Sequence, residues 1–207
     1  MFEVLNFYRE KIDASAVLER LKLQVGKYFV VSAHREKNID SPWQLAGLVN
    51  ILNSLASDHN CPVIVSTHPR TRRRFEAEGV VVDPRVVLLR PPGFFDYNHL
   101  QSHARIVLSD SETIAEESSM LNFPALNLRK ARERPEAMEE GTVIMVGMDY
   151  SAVKVAVGVL DRQGRGAQRT LRPVADYQMP NVLEKVLRLI ISYTKCVHHT
   201  VWRRTDI

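Results

Sequence analysis

The residues Ser109, Asp110 and Ser111 follow the apolar run Ile106-Val107-Leu108 and lead into Glu112-Thr113-Ile114-Ala115-Glu116-Glu117. A strand that stops there and feeds a helix leaves backbone N–H groups pointing outward at the positive end of the helix dipole, where phosphates are held in open parallel sheets. One turn further on, Glu116 and Glu117 lie within reach of a sugar attached to that phosphate, and a carboxylate is a bidentate acceptor for a ribose diol. The combination suits a nucleotide. An N-capped helix with solvated glutamates accounts for this one segment equally well.

The elements that position these residues alternate between two periodicities. Lys27 to Ala33, Pro62 to Ser66, Arg85 to Leu89, Arg105 to Ser109, Pro124 to Leu128 and Thr142 to Val146 are short, nearly continuous apolar runs that read as strands buried on both faces. Between them, Pro42 to about Ser57 carries Leu45, Leu48, Val49, Leu52 and Leu55 at helical spacing; Thr71 to Glu78, Arg134 to Glu140 (stopped by Gly141) and Ser151 to Leu160 read as further helices. The pattern predicts an α/β fold with a Rossmann-like parallel sheet. Residues 1–25 hold a predicted helix over Ala14 to Leu21, Arg162 to Pro173 reads as an exposed loop with four arginines, and Asn181 to Trp202 as a helix whose apolar stripe needs a surface to cover.

In such a sheet the ligand sits beyond the carboxyl ends of the strands. Those positions are polar here: His34-Arg35-Glu36-Lys37-Asn38 after the first strand, Thr67-His68-Pro69-Arg70 after the second, Asp110 to Thr113 after the fourth and Arg129 to Glu136 after the fifth. Each has a plain alternative, since loop histidines are commonly surface residues and Arg-Pro-Glu is a good helix start, but four segments converge on one edge. After the third strand, Tyr97 could lie against a base while one of Phe94 and Phe95 closes the core. The run Arg70, Arg72, Arg73, Arg74 reads as a solvated helix face.

Several function classes are excluded. The chain has 207 residues, a net charge of +4 and no basic stripe interleaved with aromatics, which argues against a nucleic-acid partner. Cys61 and Cys196 stand alone, without a second cysteine at metal-ligand spacing, so neither a disulfide framework nor a metal site is predicted, and reduced thiols suit a cytoplasmic protein. No apolar run approaches about 18 residues, and Met1 to Arg9 lacks the order of a signal peptide, so no membrane association is predicted. Gly-x-Gly-x-x-Gly, Walker and Gly-x-Ser-x-Gly signatures are missing, and no cofactor is predicted.

These motifs, as a set, resemble the C-terminal half of the non-hydrolysing UDP-N-acetylglucosamine 2-epimerases over residues 25 to 160. Ser32 to Asn38, Thr67 to Arg70, Asp110 to Glu117 and Glu133-Arg134-Pro135-Glu136-Ala137 carry the likeness. Pro180-Asn181-Val182, Ile190 to Thr194 and Thr200 to Arg203 are similar to the branch that makes UDP-N-acetyl-L-fucosamine precursors for bacterial surface polysaccharides such as lipopolysaccharide. The resemblance implies half of a GT-B architecture: a linker and helix over 1–25, a UDP-binding domain over 26–161, and a loop with a terminal helix over 162–207 that returns to the N-terminal domain. Carried over by position, Glu117 would bind the ribose hydroxyls, Ser111 with the N–H groups of Glu112 and Thr113 the diphosphate, His34 and Arg134 would face the phosphate side, Tyr97 would lie beside uracil, and Arg35 and His68 would join them as substrate-binding residues.

The family removes the C2 proton of the sugar and eliminates UDP to a glycal, then adds UDP and a proton back on the other face. Its acid/base carboxylates belong to the N-terminal domain, so the resemblance places no catalytic residue in this chain. It implies as partners a UDP-sugar and that domain, with a second copy of the chain, as a homodimer, a further candidate. Glu112 stands where the family has glycine, and Pro92 where many members can hydrogen-bond the base. The nucleotide-sugar half of a GT-B glycosyltransferase and a non-catalytic UDP-sugar binding module are the rival readings.

Overall fold

The apolar runs form the six predicted strands, each trimmed by one to three residues. In the computed structural model, which describes residues 1–33, 41–129 and 134–203, they are β1 (Phe29–Ser32), β2 (Val63–Ser66), β3 (Val86–Leu89), β4 (Ile106–Ser109), β5 (Ala125–Asn127) and β6 (Val143–Met145). All pairings are parallel and the order is β3-β2-β1-β4-β5-β6, the order of the doubly wound nucleotide-binding folds.

The helices, in chain order, are α1 (Phe2–Phe7), α2 (Arg9–Asp13), α3 (Val17–Arg20), α4 (Pro42–His59), α5 (Pro69–Ala77), α6 (Phe94–His103), α7 (Thr113–Leu121), α8 (Pro135–Glu139), α9 (Tyr150–Leu160) and α10 (Val182–Thr200). Two apolar layers sandwich the sheet because successive strand side chains point to opposite faces. Along β1, Phe29 and Val31 join one core cluster and Tyr28 and Val30 the other; along β4, Ile106 and Leu108 join the first and Val107 the second. The first cluster is roofed by α4 and α9. Leu45, Leu48, Ile51, Leu52 and Leu55 of α4 are buried, and each such side chain contributes about 1.5–3 kcal/mol by leaving water. Proline in the first turn starts α4, and Asn60 in the left-handed conformation (φ 46°) ends it. Gly47 permits the close approach of α4 to the loop after β6, since a Cβ there would stand 2.8 Å from the Met148 carbonyl oxygen.

The second cluster is covered by α6, α7 and the N-terminal segment, whose Leu5, Ile12 and Val17 are buried. The helix predicted over Ala14 to Leu21 is only the four-residue α3, preceded by α1 and α2. Ser15 interrupts it: its hydroxyl accepts from the Val17 N–H at 3.3 Å and donates to Asp96 at 2.6 Å, a local bonding pattern that competes with helix. Arg20 also pairs with Asp96, and a hydrogen bond of 2.8 Å joins His99 Nδ1 to the Ile12 carbonyl. The N-terminal helices are thus fastened to α6.

The arginine run is less solvated than its composition suggests. Arg72 donates to the Leu88 carbonyl at 2.7 Å, tying α5 to β3, and Arg74 pairs with Glu78 at 2.9 Å. In the 162–173 stretch, Arg165 and Arg169 reach back to the carbonyls of Arg105 (2.6 Å) and Ser119 (3.0 Å). By contrast, no residue of α10 is buried, and Leu183, Ile190 and Ile191 are 81, 58 and 68% exposed. Its apolar stripe does not pack on the sheet. Among the described residues no helix is long and apolar enough to cross a membrane, and both cysteines are free.

Candidate functional site

The strand order reverses between β1 and β4. The chain leaves β1 for the face covered by α4 and leaves β4 for the face covered by α7, so a crevice opens where the two connections part. Ser32, Ser66 and Ser109 end β1, β2 and β4 and stand in register across that edge. A pocket of about 230 Å³ lies over them, closed on one side by Pro91, Pro92 and Tyr97 and on the other by Ser111, Thr113 and Glu117.

The phosphate-type half of the pocket is a hydroxyl and N–H lattice. Ser109 Oγ accepts from the Ser111 N–H at 3.1 Å, the Ser111 and Thr113 hydroxyls are 2.9 Å apart, and Ser111 Oγ accepts from the Thr113 N–H at 3.3 Å. These contacts set the turn into α7 and place the Ser111 and Thr113 side chains on the pocket wall. They would suit an anion without bringing a fixed charge to it.

The sugar-type half is built by two helices. Glu117 on α7 accepts from the Gln101 side-chain amide on α6 at 2.9 Å. Burial pushes its carboxyl upward, while hydrogen bonds from Gln101 and Thr113 pull it down and neighbouring Glu116 raises it further. Gln101 is 1% exposed and meets Glu117 through this one bond, its own Oε1 being buried without a hydrogen-bond partner among the described residues. Tyr97, one helical turn before Gln101, is hydrogen-bonded to Ser32, and burial raises its phenol well above the usual range. Phe95 packs into the second core cluster beside Tyr8, with ring centroids 5.3 Å apart.

The structure therefore gathers Tyr97, Ser111, Thr113 and Glu117 around one pocket. Glu112 sits at the N-cap position of α7, pairing with Arg129 at 3.3 Å. Arg134 pairs with Glu116 at 2.8 Å and is hydrogen-bonded to Tyr177; it holds α7 to α8 and does not line the pocket. His68 is exposed beyond β2 and also lies off the pocket wall. His34 and Arg35 fall outside the described residues. Sequence reasoning missed Gln101 and Ser66 as residues of this edge, and named Ser32 and Ser109 only as parts of longer segments. The spacing of four from Tyr97 to Gln101 and the serine closing three separate apolar strands were the available signals.

A family model described as UDP-N-acetylglucosamine 2-epimerase matches residues 1–191. The chain is 28% identical over 137 residues to the UDP-N-acetylglucosamine 2-epimerase of Methanocaldococcus jannaschii, covering 64% of this chain and 37% of that protein. A solved UDP-N-acetylglucosamine 2-epimerase from Rickettsia bellii superposes with a TM-score of 0.83 at 37% identity, over 98% of this chain and 54% of that one. The M. jannaschii enzyme in complex with UDP-GlcNAc and UDP shares the fold, with a TM-score of 0.74 at 23% identity, over 89% of this chain and 51% of that one. The match thus spans little more than a third of that curated relative and about half of the solved chains.

Proposed function

Because the chain belongs to the UDP-N-acetylglucosamine 2-epimerase family, we propose that it is the UDP-binding half of such an enzyme, acting in the synthesis of bacterial surface polysaccharide. The observation that carries this reading is the pocket at the strand-order reversal, where Ser111 and Thr113 stand opposite Tyr97 with Glu117 between α6 and α7. A diphosphate at the Ser111–Thr113 turn would receive hydroxyl and N–H donors at the start of α7. A ribose one turn further along would meet Glu117, and uracil would lie toward Tyr97 and Pro92.

In the proposed reaction a base takes the C2 proton, the C1–O bond to UDP breaks and a glycal forms. UDP then returns to C1 as a proton is delivered to the opposite face of C2. This chain's part is to keep the departed UDP in place between the two steps, so that recombination is effectively intramolecular. The proton-transfer groups must come within hydrogen-bond reach of C2, and we assign them to an N-terminal domain outside these 207 residues. The same domain is the partner we assign to the apolar stripe of α10, with a second copy of the chain as the alternative occupant.

Calorimetric titration of UDP into the purified chain, with ADP as the control base, tests the reading. UDP is expected to bind more tightly than ADP, while conversion of UDP-N-acetylglucosamine to its 2-epimer stays at background. Absence of UDP binding would overturn the nucleotide assignment, and turnover by this chain alone would overturn the placement of the proton-transfer groups.

A further inference from the structure

One line of hydrogen bonds joins the two halves of the pocket. Gln101 Nε2 donates to Glu117 Oε2 at 2.9 Å, and the Thr113 hydroxyl, one helical turn before Glu117 on α7, donates to the same carboxylate. The Ser111 hydroxyl stands 2.9 Å from that of Thr113, and Ser111, Thr113 and Glu117 all line the pocket. Elimination fixes the protons. An ionised carboxylate only accepts, so the single hydroxyl proton of Thr113 is spent on Glu117, and Ser111 must then be the donor to Thr113. The backbone N–H groups of Ser111 and Thr113 are engaged as well, by Ser109 Oγ at 3.1 Å and Ser111 Oγ at 3.3 Å. Both hydroxyl protons of the turn therefore run toward the sugar-type half, and an anion at the turn has to draw one of them off.

Drawing off the Thr113 proton leaves Glu117 with Gln101 as its one remaining side-chain donor among the described residues, at a carboxylate whose charge burial already disfavours. A second donor arriving at Glu117 in the same step cancels that loss. A ribose hydroxyl is such a donor, and it is joined to the phosphate that draws the proton. We propose that Thr113 couples the two halves of the pocket by exchange: its proton turns from Glu117 to a phosphate oxygen while a ribose hydroxyl takes the place it leaves on Glu117. The inference rests on the UDP-binding reading above and makes Thr113 the residue that sets specificity for ribonucleoside diphosphates. Sugar hydroxyl and phosphate each bind better when the other is present. Glu117→Gln retains an acceptor oxygen for the exchange, so it weakens uridine and UDP alike.

Titration of uridine, UDP and the 5′-diphosphate of 2′,3′-dideoxyuridine into the native chain, Thr113→Val and Thr113→Ser tests this. Thr113→Val is expected to weaken UDP about tenfold, the scale of one hydrogen bond to a charged group. It should leave uridine, which draws no proton, and the dideoxy diphosphate, which returns none, at their native affinities. Thr113→Ser keeps a hydroxyl and should bind all three ligands as the native chain does. Native UDP affinity in Thr113→Val, an equal loss for either of the other two ligands, or a Thr113→Ser that behaves like Thr113→Val overturns the exchange. Where Thr113→Val fails to fold, Thr113→Ala gives the same comparison. UDP binding by the native chain with any of these results leaves the nucleotide reading standing without the exchange. If UDP does not bind the native chain, that reading fails and this inference falls with it.

Discussion

Replacing Glu117 by glutamine separates its charge from its shape. The amide keeps an oxygen that can accept from Gln101, whose side chain is 1% exposed and donates at 2.9 Å, so the substitution need not leave a buried donor unpaired. Alanine would, at about 1–3 kcal/mol of stability. What glutamine removes is the charge assistance in the hydrogen bonds proposed to the ribose, worth roughly 1.5–3 kcal/mol, which corresponds to about a ten- to hundredfold loss of affinity. Because the ribose belongs to the nucleoside, uridine and UDP should weaken by the same factor in calorimetric titrations. Equal affinity of native and Glu117→Gln protein for both ligands would refute the ribose assignment. Acidity adds a second signature. Burial raises the folded-state pKa of Glu117, so the folded protein binds this proton more readily than the unfolded chain. The group therefore costs stability above its raised pKa, and that cost is relieved as the pH falls through it. Ligand affinity should move the opposite way, falling as the carboxylate protonates, and this step should vanish in Glu117→Gln.

Gly47→Ala is expected to destabilise by about 1–3 kcal/mol, because the new Cβ meets the Met148 carbonyl oxygen at 2.8 Å, backbone against helix; a thermal midpoint equal to the native one would contradict that packing. Deleting residues 182–207 should leave the thermal midpoint unchanged while raising solubility, since no residue of α10 is buried, and a large drop would mean that the helix packs on the domain. Asp96, bonded to Ser15 and Arg20, has its pKa lowered by those contacts. Its contribution is present above the unfolded pKa and lost as the pH falls through the folded one, so amide exchange in α2 and α3 should accelerate at acid pH in the native chain and already at neutral pH in Asp96→Asn.

The sheet was legible because its strands, buried on both faces, leave unbroken Val/Ile/Leu runs that few other structures need. Helix ends were legible where a residue carries its own backbone preference, as Pro42 does at the start of α4 and Gly141 (φ 63°) does after α8. The N-terminal helix was misjudged because Ser15 bonds to Asp96, eighty-one residues away, and no local pattern contains that contact. Ser111, Thr113, Glu117 and Tyr97, named from motif position, line one pocket. Arg134, named with them, stands off that wall and pairs with Glu116, a placement that motif position does not reveal. Gln101 was missed for another reason: its spacing of four from Tyr97 puts it on the same helix face, but that spacing gains meaning only once the carboxylate it meets is seen.

The pairing of β1 with β4, Phe29 with Ile106 through Ser32 with Ser109, joins two stretches of chain that are distant in sequence. Of all the pairings in the sheet it spans the most chain, and so in itself carries the largest loop-closure entropy. The pocket straddles that seam, with Ser32 and Ser66 on one side and Ser109, Ser111 and Glu117 on the other. It does not exist in either half alone. A ligand seated there would act as a rivet across the most widely separated pairing of the sheet, stabilising the joined state by RT ln(1 + [L]/Kd). Occupancy and completed folding are therefore read out by the same contact.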